Sequence, residues 1–426
     1  MSGSCPAREP DFDPLDEEFT RNPHPVWAEL RQRCPVARGA RWDFWALTKY
    51  QDVKLASRRP ALFTSSQGIT VPRNPVSGRR APLHFDPPEH PRYRRPLNAV
   101  LSNERVAALE PEMRETARGL VADLVESGGG DAVRGLSSPL SGLIFGMFIG
   151  ISPERARELN HHSERFESAQ FHQQPEIAEE ENLYLYRVFR ELVAERRAQP
   201  MNPGEDIVSA LLEVRVDGEL LDDEFIAGSI RQLLIAAHVA PSAAIASAIR
   251  HLADDPSLQE ELRQQPDLIP AACDELLRLY TPNQGFARTA TRTTKVRGQQ
   301  IEAGEQVALV LSSANRDPDV FPEPDRFVLG RTPNRHIAFG WGSHKCAGKQ
   351  VAETEMRLAL EELLAATDQF AVAGDVAPTY WPLYGPEALP LRCEPRSEWS
   401  AAEHGSVRAA EARAGLEVTA PLEPRA

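Results

Sequence analysis

Cysteine is scarce in this chain: five residues in 426, at 5, 34, 273, 346 and 393, with no CxxC pair among them. Scattered and odd in number, they argue against a disulfide framework or a structural zinc site, and a reducing cytoplasm fits. Long apolar runs are also missing. No uninterrupted stretch reaches the roughly 18 apolar residues of a membrane span. The stretch from Leu140 to Ile151 is broken by glycines and reads as a buried helix. The N-terminus has no basic region followed by an apolar one, so no secretory leader is expected. Positive charge does not dominate either: 48 Lys and Arg against 62 Asp and Glu leave −14. That excludes a general nucleic-acid coat, which needs a basic face.

What is present is helical periodicity. Apolar residues recur every three or four positions from Val106 through Leu109, Met113, Ala117, Leu120, Val121 and Leu124, and the glycines at 128–130 end that helix. Further helices are expected over 22–34, 183–197, 271–280 and 351–366. The run Phe225–Leu252 is apolar almost all round and predicts a buried central helix. The segments 42–47 and 53–56 suggest strand and short helix. The interval 72–96, rich in Pro, Arg and His, reads as a long functional loop. The segment 296–311 alternates around Gly298 and Gly304 as a strand hairpin, and the prolines at 318, 322, 324 and 333 mark a meander. Residues 1–15 and 394–426 read as mobile ends flanking one domain over 16–393. The fold class is mainly α with a smaller β part.

The most specific string is Phe339-Gly340-Trp341-Gly342-Ser343-His344-Lys345-Cys346-Ala347-Gly348. Its glycines let a backbone approach a flat ligand. Cys346 lies beside amide N–H groups at a helix start, which favour a thiolate, and a thiolate is a strong axial ligand for haem iron. A lone cysteine in a glycine-rich turn can also be merely buried. The whole string, however, resembles the haem-binding loop of the cytochrome P450 family, FGxGxHxCxG, at every specified position.

That resemblance covers about residues 12–393 and implies a cytochrome P450 fold with a long helix over haem b. It makes Cys346 the axial ligand, flanked by Phe339, Gly340 and Gly348. Glu275 and Arg278 match the ExxR pair, and Arg326 in the meander matches its partner arginine, a structural triad. His90 and Arg94 resemble the HxxxR element, with Arg288 and His336 as further donors to the haem propionates. The central helix departs from the family form AGx(D/E)T. It reads Ala237-His238-Val239-Ala240-Pro241-Ser242, without the acid or the alcohol that organises proton delivery to dioxygen. Pro241 lacks an N–H and so frees the Ala237 carbonyl, which can hold a water. Water, His238, Ser242 or a substrate group then remains as the proton source.

The activity implied is insertion of one oxygen atom from dioxygen into a small organic substrate. Electrons would come from a separate ferredoxin and ferredoxin reductase, since no dinucleotide or iron–sulfur motif is present; Lys345 and Lys349 offer a docking spot. Two alternatives use the same haem: a peroxide-driven oxygenase or an oxidative coupling or rearrangement enzyme, and a non-catalytic haem sensor. By analogy, substrate-facing positions fall in 68–75, 166–171 and 284–286, at Val239, and in 381–384. No nucleic acid or membrane partner is expected.

Overall fold

A computed structural model describes residues 12–73 and 79–397. Its axis is one unbroken helix, Asp223–Ala253. Asp222 caps it by accepting from the Phe225 amide, Asp223 and Glu224 follow in the first turn, and Arg250 and His251 close the last. Each charge opposes the helix dipole at its end. This helix is long and apolar enough to cross a membrane by composition, yet more than half of its apolar window is buried inside the body. It is a core helix.

Around it pack Ser138–Phe148, Pro153–Phe171 and Pro175–Ala198 on one side and Lys349–Ala366 on the other. The periodic residues of Asn103–Glu126 are all buried and meet Lys349–Ala366. Arg114 bonds Glu361 and Glu362 across the edge of that contact, at 2.5 and 2.7 Å. The helix Pro153–Phe171 escaped the periodicity reading. Its start is nonetheless spelled out, with Ser152 capping the Arg155 amide and Pro153 at the first helical position.

A five-stranded sheet flanks the helices in the order Val36–Arg38, Phe44–Leu47, Gln306–Val310, Gly285–Ala290, Phe63–Thr64. Gln306–Val310 runs parallel to Phe44–Leu47 and antiparallel to Gly285–Ala290, bringing Val307 opposite both Trp45 and Arg288. That pairing fixes where Arg288 enters the site. The hairpin expected over 296–311 is shorter and earlier: residues 294–296 pair with 299–301 around Gly298, while Gln306–Val310 leaves for the five-stranded sheet.

Three boundaries differ from expectation. The interval 72–96 is not all loop: a helix begins at His90 and runs to Val100. Phe12 is buried against Phe19, Trp27 and Phe44, so the ordered chain starts earlier than residue 16. The strand Pro390–Pro395 extends past 393. The rest of the expected mobile ends, 1–11 and 398–426, lies outside the described residues. Cys273, Cys346 and Cys393 are free thiols.

Candidate haem site

The loop Phe339–Gly348 is shaped by its backbone. The Cys346 amide donates to the Phe339 carbonyl at 2.8 Å, and a 3₁₀ turn spans Gly342–His344. Gly342 sits at φ +78°, and a Cβ there would lie 2.6 Å from the Ser57 carbonyl oxygen. Only glycine fits such a position. Gly348 caps the following helix with nothing within 4 Å of where its side chain would be, so one face of the loop is open.

Cys346 is solvent-accessible, yet it lies deep among protein atoms. A group that is both deep and accessible forms the floor of a hollow. Burial pushes its thiol up; the Gly348 amide and Arg94 pull the other way.

Beside the loop stands a cluster of cations. His90 opens its helix and Arg94 follows one turn later, donating to the Lys345 carbonyl and to Asn98. Arg288 is 7% exposed, and burial lowers its pKa to about 10. His344 lies 3.2 Å from Ser65 Oγ and 3.4 Å from Asp86, its ring edge-on to His90. Burial, His344 and Arg94 together depress His90 to about 4. Asp86, held well below the usual carboxylate range despite its burial by His344, Thr64 and Ser65, is the one anion acting on both His90 and Arg288. Nε2 of His90 is buried without a hydrogen-bond partner among the described residues. Of these four donors, three answer to one carboxylate, Arg94 answers to none, and His90 Nε2 is orphaned, a setting that two further carboxylates would complete. Haem carries two propionates, so the residues fit the group.

His336 is not in that cluster. Its Nε2 lies 3.0 Å from Asp274 on the helix Ile269–Tyr280, which turns it away from the cations. His344, which was not named as a donor, stands in the cluster instead. The signal was available, because His344 is the histidine of the loop string itself.

Behind the loop, Arg278 donates through Nε and Nη2 to the two oxygens of Glu275, both at 2.8 Å, and neither side chain is exposed. The remaining donors of Arg278 reach the carbonyls of Asn315, Pro324 and Arg326. The third member of the triad is Arg331, not Arg326. Arg331 Nε donates to Glu275 at 2.9 Å, whereas the Arg326 side chain is 72% exposed on Glu323. A turn at Glu323–Arg326 throws that side chain outward, and the chain returns five residues later.

On the opposite wall, the central helix leaves Gln232, Ile235, Ala237, Val239, Ala240 and Pro241 half-buried and Ala236 exposed, while Leu234 and His238 are covered. That stripe faces open space. The helix continues through Pro241. His238 does not enter the groove. It is 3% exposed, with Nε2 2.8 Å from Ser138 Oγ and Nδ1 3.2 Å from Ser163 Oγ, in a pocket that also holds Glu164 and Glu167. Those two carboxylates raise its pKa against burial, Glu167 more strongly. Ser242 is likewise turned away, 3.0 Å from Ser137. The groove therefore lacks a side-chain proton donor from 237–242.

Several positions expected to face substrate are core. Gln284 accepts from Trp27 Nε1 and donates to the Leu383 carbonyl. Trp381 bonds the Val71 carbonyl and stacks on Phe44. Tyr384 stacks on Tyr280. Phe166 is buried under a guanidinium. Of 68–75, residues 74 and 75 lie outside the described residues.

The family model described as "Cytochrome P450" matches residues 179–368. Nocardicin C N-oxygenase of Nocardia uniformis is 34% identical over 82% of this chain and 89% of its own length. Cytochrome P450 109 of Bacillus spizizenii is 30% identical over 80% of this chain and 84% of its own. The chain is a cytochrome P450. A cytochrome P450 of Mycobacterium marinum, CYP268A2, solved with pseudoionone, superposes with a TM-score of 0.81 at 28% identity, over 91% of this chain and all of that one. This P450 is accordingly a haem-thiolate monooxygenase of the bacterial type, with haem as its cofactor and electron-transfer partners in general. The non-catalytic sensor is set aside.

Proposed function

We propose that Cys346 would supply the thiolate that holds haem, with Phe339, Gly340 and Gly348 lining its site and His90, Arg94, Arg288 and His344 receiving the propionates, all within one domain that includes Phe12 and the strand to Pro395. The observation that carries this reading is Cys346 at the floor of the hollow, its position fixed by the amide bond to Phe339. Haem bound there supplies the activation of dioxygen, and a thiolate ligand promotes O–O cleavage. The chain's own work is to hold and surround it. Glu275, Arg278 and Arg331 pin the meander behind the loop. The apolar groove at Val239 and Ala240 excludes charge and admits a small organic substrate.

Protons reach the groove from water on the Ala237 carbonyl, which Pro241 leaves without its helical donor, or from the substrate. Electrons come from a ferredoxin and its reductase in the cytoplasm, docking beside Lys345; Lys349 is already paired with Glu353.

The reduced protein with carbon monoxide should show the red-shifted Soret band of thiolate ligation, and Cys346→Ala should abolish it together with most haem retention. Survival of the band in that variant would overturn the ligand assignment. A second reading, use of peroxide instead of dioxygen and reductant, is favoured by the turning away of His238 and Ser242. Product formed with peroxide alone, at a rate comparable to the reductant-driven reaction, would select it.

A further inference from the structure

One face of the central helix changes character part-way along. Phe225, Gly228, Gln232, Ala236 and Val239 follow at intervals of three or four residues, so they lie in line on that face. Over its first turns the line is covered. Phe225 meets the rings of Phe85 and Tyr93, at 5.9 and 5.7 Å between centroids. A Cβ on Gly228 would lie 3.3 Å from the Tyr186 hydroxyl. Next to it, Ser229 Oγ accepts from the Ala81 amide at 3.1 Å. The cover then ends. Gln232 is half-buried, Ala236 is exposed in the middle of a core helix, and Val239 is half-buried again. Gln232 is thus the first residue of the line to look into the groove.

Its chemistry is out of keeping with its neighbours. Ile235, Ala236, Ala237, Val239, Ala240 and Pro241 carry no polar side-chain atom, so one carboxamide stands in an apolar strip. The Gln232 side chain makes no hydrogen bond among the described residues. Buried glutamines elsewhere in this protein are bonded by the protein itself. Gln284 accepts from Trp27 and donates to the Leu383 carbonyl. Gln259 Nε2 donates to the carbonyls of Leu252 and Phe370, and Gln306 Nε2 donates to that of Thr70. Gln232 alone among these is left to what enters the groove.

Water can serve that amide while the groove is wet. A wholly apolar molecule that displaces the water leaves the amide covered and unbonded, which costs binding. A molecule carrying an acceptor oxygen at the matching place avoids the loss. A site that offers a hydrogen bond in this way rejects the analogue that cannot take it.

We propose that Gln232 is a specificity residue of this P450: its amide donates to a neutral oxygen, a carbonyl or hydroxyl, on an otherwise apolar substrate that is oxidised at a remote carbon. The inference deepens the haem-thiolate reading and rests on it. Gln232 precedes Val239 by seven residues, which is within about 20° of two full turns and about 10 Å along the helix axis. The oxygen already on the substrate and the carbon attacked are separated by a span of that order.

The test uses the ferric holoprotein and two pairs of isomers, so that apolar area is nearly equal within each pair. They are undecan-2-one against undecan-6-one, and 4-phenylcyclohexanone against 2-phenylcyclohexanone. The first member of each pair carries its oxygen at one end of the molecule. Binding is read from the shift of the haem Soret band. At least one end ketone should bind about three- to tenfold more tightly than its isomer, the worth of one neutral hydrogen bond. Gln232→Leu, close to glutamine in size, should level that pair while leaving haem content and the carbon monoxide band unchanged. If neither end ketone outbinds its isomer, or the preference survives in Gln232→Leu, the proposal is overturned. If Gln232→Leu fails to fold, Gln232→Met replaces it, with the same levelling expected, and a retained preference again overturns the proposal. Loss of the carbon monoxide band in the wild type would strike instead at the haem-thiolate reading.

Discussion

The two walls of the hollow are built on opposite plans. On the wall of Cys346, polar groups are mostly spoken for: Glu275 is bonded by Arg278, Arg331 and the Val328 amide, and the loop closes through its own backbone. On the wall of the central helix, Val239 and Ala240 leave the groove without charge, and the nearby polar side chains of His238 and Ser242 turn away into the helical packing. On the reading proposed above, the first wall holds a cofactor whose shape never changes, so satisfying most of its own groups costs it nothing in function. The second must accept something that comes and goes, and a fully satisfied surface would bind nothing.

The largest expected effects test the first wall. Glu275→Ala or Arg278→Ala strands a buried charge and should cost roughly 3–5 kcal/mol, out of a typical stability of about 5–15 kcal/mol. Purified protein should be poorly folded and haem-free by thermal melting and absorbance. A folded, haem-loaded variant would remove the distinction between the walls.

Glu355 offers a milder test. It is buried on the helix after the loop, and burial raises its carboxyl to about 8. A folded-state pKa above the unfolded value near 4.5 means that the folded protein holds this proton more tightly. The contribution is complete below about 4.5 and is lost as pH rises through about 8. The expected slope is a loss of about 1.4 kcal/mol per pH unit inside that window. Denaturant melts at pH 5, 6 and 7 should show that slope shrink in Glu355→Gln; an unchanged slope would mean the group is already ionised.

For the second wall, Val239→Glu with Ala240→Thr restores the usual acid and alcohol. Product formed per reducing equivalent should stay level or fall, because the new carboxylate enters a groove that offers no charged partner. A large gain in coupling would show the groove to be impaired rather than differently supplied. The smallest effect expected is that of Arg326→Ala, within about 0.5 kcal/mol as for other exposed pairs. Arg331→Ala, which unbinds Glu275, should exceed it clearly in the same melt. The reverse order would return the triad to Arg326.

How legible each wall was in the sequence follows from the range of its contacts. Cys346, the glycines and the Glu275–Arg278 pair act through near neighbours in the chain, so a short string names them. The central helix, too, was visible in its apolar run. Arg331 and Arg326 are both meander arginines, and which one returns to Glu275 depends on a turn at Glu323 with no local mark. That Asp274 claims His336 is shown only by the fold. Gln284 and Trp381 are polar or amphipathic groups that look like binding residues until Trp27, Leu383 and Val71 satisfy them from far along the chain. Arg231 is the same case reversed: an arginine in an apolar helix attracts no notice until its Nε and Nη2 are seen to be buried without a partner among the described residues.

The bond from the Cys346 amide to the Phe339 carbonyl has an evolutionary corollary. Because main-chain atoms and two glycines set the loop's shape, the side chains at 341, 343, 345 and 347 are not needed to aim the sulfur. Trp341 already serves another purpose, lying under Lys54 and Arg58 on the outer surface. Such positions can be rewritten while the sulfur stays where it is, so the outer face of the loop and the placing of Cys346 can drift independently within ten consecutive residues.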